Sequence, residues 1–184
     1  MKRFYFLLLA AAVLLAGNVS ASMVVPVDVQ MELFANIAKL DRNVDPAKGV
    51  TLAIVYQRGY PESVSTKDRV IAAVRKPNPR MVCVLLEADS PELLRRRLAD
   101  TEATVLYVAP LRAVEVSEIA KISRDRGIRT TTGVPEYVEA GIAVGIGLRN
   151  QRPLIIINLE AARAEGASFS SQLLSLARIV GPLR

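Results

Sequence analysis

Few residues in this chain could do chemistry on their own. Histidine is absent and cysteine occurs once, as Cys83. Without an imidazole there is no Ser-His-Asp arrangement, and the commonest general base near neutral pH is missing, so hydrolytic chemistry has little to start from. The carboxylates are scattered, and no H-x-x-x-H, C-x-x-C or Asp-rich calcium loop occurs, so the expectation is no metal and no catalytic residue. "GIAVGIG" carries glycines but lacks the Lys and the Ser or Thr of a phosphate-binding loop, which leaves a close-packed strand and no bound cofactor. The remaining polar residues of interest stand at the ends of apolar runs: Gln57, Arg58, Asp89, Ser90, Thr131, Thr132 and Tyr137. Together they offer a positive charge, hydroxyls and an amide, a set suited to a small polar or anionic ligand.

The elements that would position these residues alternate. "DVQMELFANIAKLDRN" reads as an amphipathic helix that Asp28 can cap, with Val29, Leu33, Phe34, Ile37 and Leu40 on one face. "GVTLAIVYQ", "RMVCVLLE" and "ATVLYVA" are continuous apolar runs, the pattern of strands covered on both faces. Between them, "STKDRVIAAVRKP" with Ser65 or Thr66 as cap and "PELLRRRLAD" behind Ser90-Pro91 read as helices. A further helix runs from Glu115 to Arg126, Gly127 fits its left-handed terminus, and a fourth strand begins at Ile128. "GIAVGIGL" and "PLIIIN", joined by Arg149-Asn150-Gln151-Arg152, read as an antiparallel hairpin. The last segment reads as one helix with Phe169, Leu173, Leu176, Ala177 and Val180 on its inner face and Ser168 or Ser170 as cap.

This order predicts a three-layer α/β fold: a mainly parallel sheet, helices on both faces and a C-terminal antiparallel hairpin. In such sheets ligands favour the crevice beyond the carboxyl ends of the strands, where the seven polar residues fall.

The first 21 residues read differently. Lys2 and Arg3 precede thirteen apolar residues, Phe4 to Ala16, well short of the roughly 20 that cross a bilayer. Val19-Ser20-Ala21 then fits a signal-peptidase site, so 1–21 is a leader and 22–184 one exported domain. Loss of its two basic residues lowers the net charge from +6 to +4. The only compact basic cluster, Arg95-Arg96-Arg97, lies among Glu92, Asp100 and Glu102 as a solvated helix face, and with no Trp a base-stacking platform has little to be built from. Nucleic acid is therefore not an expected partner. Cys83, alone in an oxidising compartment, reads as a small buried apolar residue.

"YVEAGIAVGIGLRNQRPLIIINLEAARAEGASFSSQLLSLARIV", with Gly141, Asn158, Ala161, Ser171, Leu173, Leu174 and Ala177, resembles the ending of the YfiR-like (HmsC-like) exported proteins. "VTLAIVYQ" and "ATVLYVAP" resemble that family's first and third strands. The resemblance implies a periplasmic α/β domain without known catalysis, often self-associating, with a homodimer as the possible form. Its studied members bind a membrane protein with a periplasmic segment, a diguanylate cyclase, and lower cyclic-di-GMP signalling and biofilm formation. The aromatic-Trp-Pro segment of that pattern is here "LDRNVDP", and its cysteine pairs are missing, which marks a divergent branch. Asp41, Arg42 and Asn43 in this segment are the candidate partner surface, and a small polar solute at the strand ends is the alternative occupant.

N-terminal sequencing of the exported protein is expected to read Ser22-Met23-Val24. A mature form still beginning at Met1 would refute the leader.

Overall fold

In a computed structural model, residues 24–44, 49–76 and 82–181 are described. The leader and its cleavage site lie outside them.

Among the described residues seven helices and seven strands follow one another: α1 (Val27–Lys39), β1 (Thr51–Tyr56), α2 (Pro61–Arg75), β2 (Val82–Glu87), α3 (Pro91–Ala99), β3 (Val105–Val108) and α4 (Val116–Asp125) form the first part. β4 (Arg129–Thr132), α5 (Glu136–Glu139), β5 (Val144–Arg149), β6 (Arg152–Asn158), α6 (Leu159–Ala164), α7 (Ser171–Leu176) and β7 (Arg178–Val180) complete it. The strands form one sheet in the order β2-β1-β3-β4-β5-β6-β7, parallel throughout except between β5 and β6. This is the mainly parallel α/β sheet with a C-terminal antiparallel pair that the alternation predicts.

Apolar residues of β1 divide by parity between the two faces. Leu52 and Ile54 pack with Val70 and Val74 of α2 and with Tyr107, whereas Ala53 and Val55 pack with Leu94 and Leu98 of α3 and Ile119 of α4. A third cluster joins Ile37 of α1 to Ile146, Ile157, Ala161 and Leu173. The β5–β6 turn is tight because Asn150 and Gln151 both adopt positive φ, 50° and 63°, as a two-residue turn matching the strand twist requires. Gly145 lets α5 lie close on the sheet, since a Cβ there would stand 2.4 Å from Val138 Cγ2.

Four local expectations change. α1 starts behind Pro26, and Asp28 sits in its first turn without capping it. α2 starts at Pro61, earlier than Ser65 or Thr66, because proline's fixed φ suits the first helical position. β2 is not covered on both faces: it is the outer strand, with Val82 56 % and Leu85 44 % exposed and Cys83 half-buried. The closing helix is also shorter than its periodicity implies. Ser170 caps it, Ala177 turns extended (φ −97°, ψ 150°), and β-branched Ile179 and Val180 then pair alongside β6. Leu176, expected on the inner face, is 66 % exposed.

A buried polar cluster at the amino ends of β4 and β5 closes the fold. Arg129 Nε donates to Asp41 Oδ2 at 2.7 Å, while Asp41 Oδ1 accepts from the amides of Ser168 (2.8 Å) and Asn43 (3.0 Å). Burial pushes the Asp41 carboxyl upward, but those amides and the Arg129 guanidinium outweigh it and hold the carboxyl below its usual range. Nearby, Glu165 accepts from the Thr130 amide at 2.8 Å and meets the Thr130 hydroxyl at 2.6 Å, and that hydroxyl accepts from the Ala143 amide at 2.8 Å. Burial raises the Glu165 carboxyl to about 7 against the pull of these bonds and of Arg124 and Arg129.

The two acids act in opposite directions. Asp41, lowered on folding, stabilises the fold above the usual carboxylate range and loses that effect as pH falls. Glu165, raised on folding, holds its proton more tightly when folded, so its contribution is greatest below the unfolded value and falls as pH climbs toward 7. Wild-type protein is therefore expected to lose about 3 kcal/mol of stability from this site between roughly pH 4.5 and 7. Glu165→Gln, which mimics the protonated acid, should flatten that decline in melts recorded across this range; an unchanged slope would show that Glu165 does not set it.

Candidate functional site

The carboxyl ends of β1 and β3 part the chain to opposite sides of the sheet, the point where an α/β sheet usually opens a crevice. Here the crevice is filled. Gln57 Oε1 accepts from the amides of Arg112 (2.8 Å) and Ala113 (3.2 Å), and the Tyr137 hydroxyl accepts from the Leu111 amide (2.8 Å) and donates to its carbonyl (3.1 Å). Two side chains thus pin the β3–α4 loop from either side. The Arg112 guanidinium lies over the Tyr60 ring, 4.2 Å from its centre.

The other sequence candidates are also engaged. Arg58 pairs with Glu87 at 2.7 Å from an exposed position and borders a shallow depression of about 700 Å³ along α2. Ser90 Oγ accepts from the Leu93 amide and caps α3, while Asp89 beside it is exposed. Thr131 and Thr132 donate to the carbonyls of Leu106 and Val108, tying β4 to β3. At the amino ends of the strands, Asp41 is buried in its pair with Arg129, and only Arg42 and Asn43 of that trio are exposed.

An opening lies one step along the sheet, beyond β3, β4 and β5, as a cleft of about 810 Å³ between the first turns of α1 and α2. None of the seven crevice candidates lines it. Its wall includes Pro26, Pro61, Pro110 and Pro135, each placed where the chain leaves a strand or enters a helix. Val24 and Leu148 add apolar surface, and Glu62, Arg69 and Glu136 supply charge.

The floor is held by Gln30, 1 % exposed. Its Nε2 donates to the Val25 carbonyl at 2.7 Å, and its Oε1 accepts from the Tyr107 hydroxyl at 3.0 Å. Burial raises the Tyr107 pKa, which keeps the hydroxyl protonated as a donor. Phe34 meets the same ring edge-on, with centres 6.3 Å apart. Gly133 leaves room for this amide, since a Cβ there would stand 2.3 Å from Gln30 Oε1. Gln30 and the four prolines are the residues that sequence reasoning missed. The available signal was the placement of proline just past a strand-like run or at a helix start, in "VVP", "RGYP", "VAP" and "GVP".

The sheet and cleft define a class of fold shared with several solved structures. A conserved domain protein from Vibrio cholerae O1 biovar El Tor superposes with a TM-score of 0.63 at 14 % identity, covering 84 % of this chain and 60 % of that one. An ABC domain in complex with L-Trp from Streptococcus pneumonia gives 0.65 at 11 %, covering 84 % and 62 %. The ligand-free, open form of a substrate-binding protein with adhesive properties from Clostridium difficile gives 0.62 at 16 %, covering 86 % and 61 %. The chain thus spans about three fifths of these relatives' length.

The particular assignment comes from residues 63–178, which match the YfiR/HmsC-like family model, and the chain belongs to that family. Its members are periplasmic and regulatory. No curated protein sequence matches the chain. Among the described residues, no helix is long and apolar enough to cross a membrane.

Gly133→Ala would drive Gln30 out of its two bonds and is expected to cost about 1 to 3 kcal/mol in denaturant unfolding. Wild-type stability in that variant would mean that Gln30 can move aside freely.

Proposed function

We propose that this protein is an exported, non-enzymatic regulator that holds a segment of a membrane-protein partner in the cleft between α1 and α2. The observation that carries this reading is the cleft's composition. Its deepest side chain, Gln30, is satisfied by the Val25 carbonyl and the Tyr107 hydroxyl, so the wall it offers is largely proline and aliphatic surface, with Ser65, Thr66 and the charges of Glu62, Arg69 and Glu136 around it. Such a surface suits recognition of a polypeptide, where apolar contacts supply affinity and the rim charges of Glu62, Arg69 and Glu136 select the sequence. The family supports a regulatory role, and the partner class that the resemblance implies is a membrane-bound diguanylate cyclase. Arg42 and Asn43, exposed at the opposite end of α1, are a second proposed contact.

A second reading, a small polar solute as occupant, is supported by the shared fold of the domain in complex with L-Trp. Under it, the exposed Arg58 and Asp89 are the remaining candidate contacts at the strand ends.

The two readings separate experimentally. Val24 is 59 % exposed on the cleft wall, so Val24→Arg alters the surface without disturbing the core. Under the first reading this variant loses about tenfold or more in recovery of a membrane protein from envelope extracts, while Arg96→Ala on α3 binds as wild type. Equal recovery by all three proteins sinks the cleft as partner site. Under the second reading, L-Trp or another amino acid from a metabolite panel raises Tm by several degrees when in large excess.

A further inference from the structure

The β5–β6 hairpin ends in the exposed residues Arg149, Asn150, Gln151 and Arg152, and its two arginines are direct partners across the strands. Facing residues of an antiparallel pair project from the same side of the sheet, and like charges set opposite one another weaken the pairing. Among the described residues no carboxylate offsets this repulsion, because neither guanidinium forms an ion pair. The acids of the neighbouring helix α5 are spent or apart: Glu139 takes Arg178 at 3.4 Å, and Glu136 makes no ion pair. The two-residue turn keeps the arginines side by side.

This charged tip adjoins the cleft. Ile146, Gly147 and Leu148 of β5 line the cleft, and Arg149 is the next residue. Side chains alternate along a strand, so Arg149 and Arg152 share the sheet face of Gly147, where a Cβ would stand 3.1 Å from Pro135 Cγ. Pro135 is itself part of the cleft wall. The apolar wall therefore leads, one step further along the same face, to two uncompensated cations.

We propose that the segment held in the cleft carries an acidic residue, and that Arg149 and Arg152 together take its carboxylate. This rests on the reading of the cleft as a polypeptide site and adds the chemistry of its occupant. A carboxylate offers about four lone-pair sites, enough for two guanidinium forks, and arginine meets it with a planar geometry that lysine lacks. Set between the arginines, the carboxylate also removes the repulsion present in the free protein, so the pair favours the bound state twice over. Bilayer phosphates carry the same charge, but attraction to an anionic membrane takes clusters of about four to eight basic residues, and the tip has only this pair around Asn150 and Gln151. The step from Leu148 to Arg149 plus an arginine side chain spans about two to three residues of extended chain, which sets the offset between the occupant's apolar residue and its acid.

The test sets the processed chain against a phage-displayed library of random peptides. Selected clones are expected to carry an aliphatic or aromatic residue with Asp or Glu at that offset. A synthetic consensus peptide should bind the Arg149→Gln, Arg152→Gln double variant about tenfold or more weakly than wild type. Changing the peptide's acid to its amide should cost as much against wild type and nothing further against the double variant, the signature of a direct pair. The double variant should melt no lower than wild type, since it removes a like-charge pair; a clear drop in Tm would show that the arginines serve the fold and would count against the proposal. An apolar consensus without an acid, or equal binding by the double variant, overturns the inference and leaves the cleft reading standing. Peptides that Val24→Arg does not weaken, or a library that enriches no clone, overturn both. Sedimentation with phosphatidylglycerol vesicles that the double variant loses, with no acid in the selected peptides, would assign the tip to the bilayer instead.

Discussion

The fold depends on fixing both ends of α1. This helix has no side-chain cap at its amino end, where Pro26 precedes it. At its amino end Gln30 holds the Val25 carbonyl and the Tyr107 hydroxyl, joining the entering chain to β3. Just past its carboxyl end Asp41 takes Arg129 of β4 and two amides of neighbouring loops. Burying a carboxylate is expensive, and the pair repays that only because two backbone donors complete its coordination. Removing Arg129 would leave the buried Asp41 carboxylate with its backbone donors alone, whereas Arg129, partly exposed, keeps the carbonyl acceptors of Asn43 and Gly166. Val27 and Ile37, near the two ends of the same helix, are buried and supply its apolar contact.

The same two clamps divide recognition from stability. Gln30 sits beneath the cleft at the carboxyl edge, and Asp41 and Glu165 sit at the amino edge, where loops close the fold and the ionisable groups are buried. The strongest pH response therefore belongs to the end of the molecule away from the cleft. A regulator built this way can change stability with pH while the wall between α1 and α2 keeps its shape, because Gln30, Tyr107 and the four prolines do not titrate near neutrality.

The alternating order of elements was legible because it rests on period: apolar runs such as "TLAIVY" and "VLYV" belong to strands covered on two faces, and Val116, Ile119, Ala120 and Ile122 mark a helix. The hairpin was legible from the spacing of its strands. Strand order was not, since "VCVLLE" is as apolar as a central strand yet lies at the edge. Nor was β7, because six residues of helical period end where Ala177 adopts an extended backbone, a change set by pairing with β6. At the site, Gln57 directly follows β1, whereas Tyr137 lies in α5. Their work of pinning the 110–113 loop depends on contacts across 55 and 26 residues, which no local pattern encodes. Gln30 and Arg129 were missed for the same reason: each is one polar residue whose role comes from a distant partner.

β2, at the outer edge of the sheet, and the cleft over β3, β4 and β5 lie on separate parts of it, so neither surface covers the other. Apolar wall, four prolines and charges of both signs are gathered around one 810 Å³ opening, and that concentration is what engagement of a polypeptide at a single site, as proposed, would draw on.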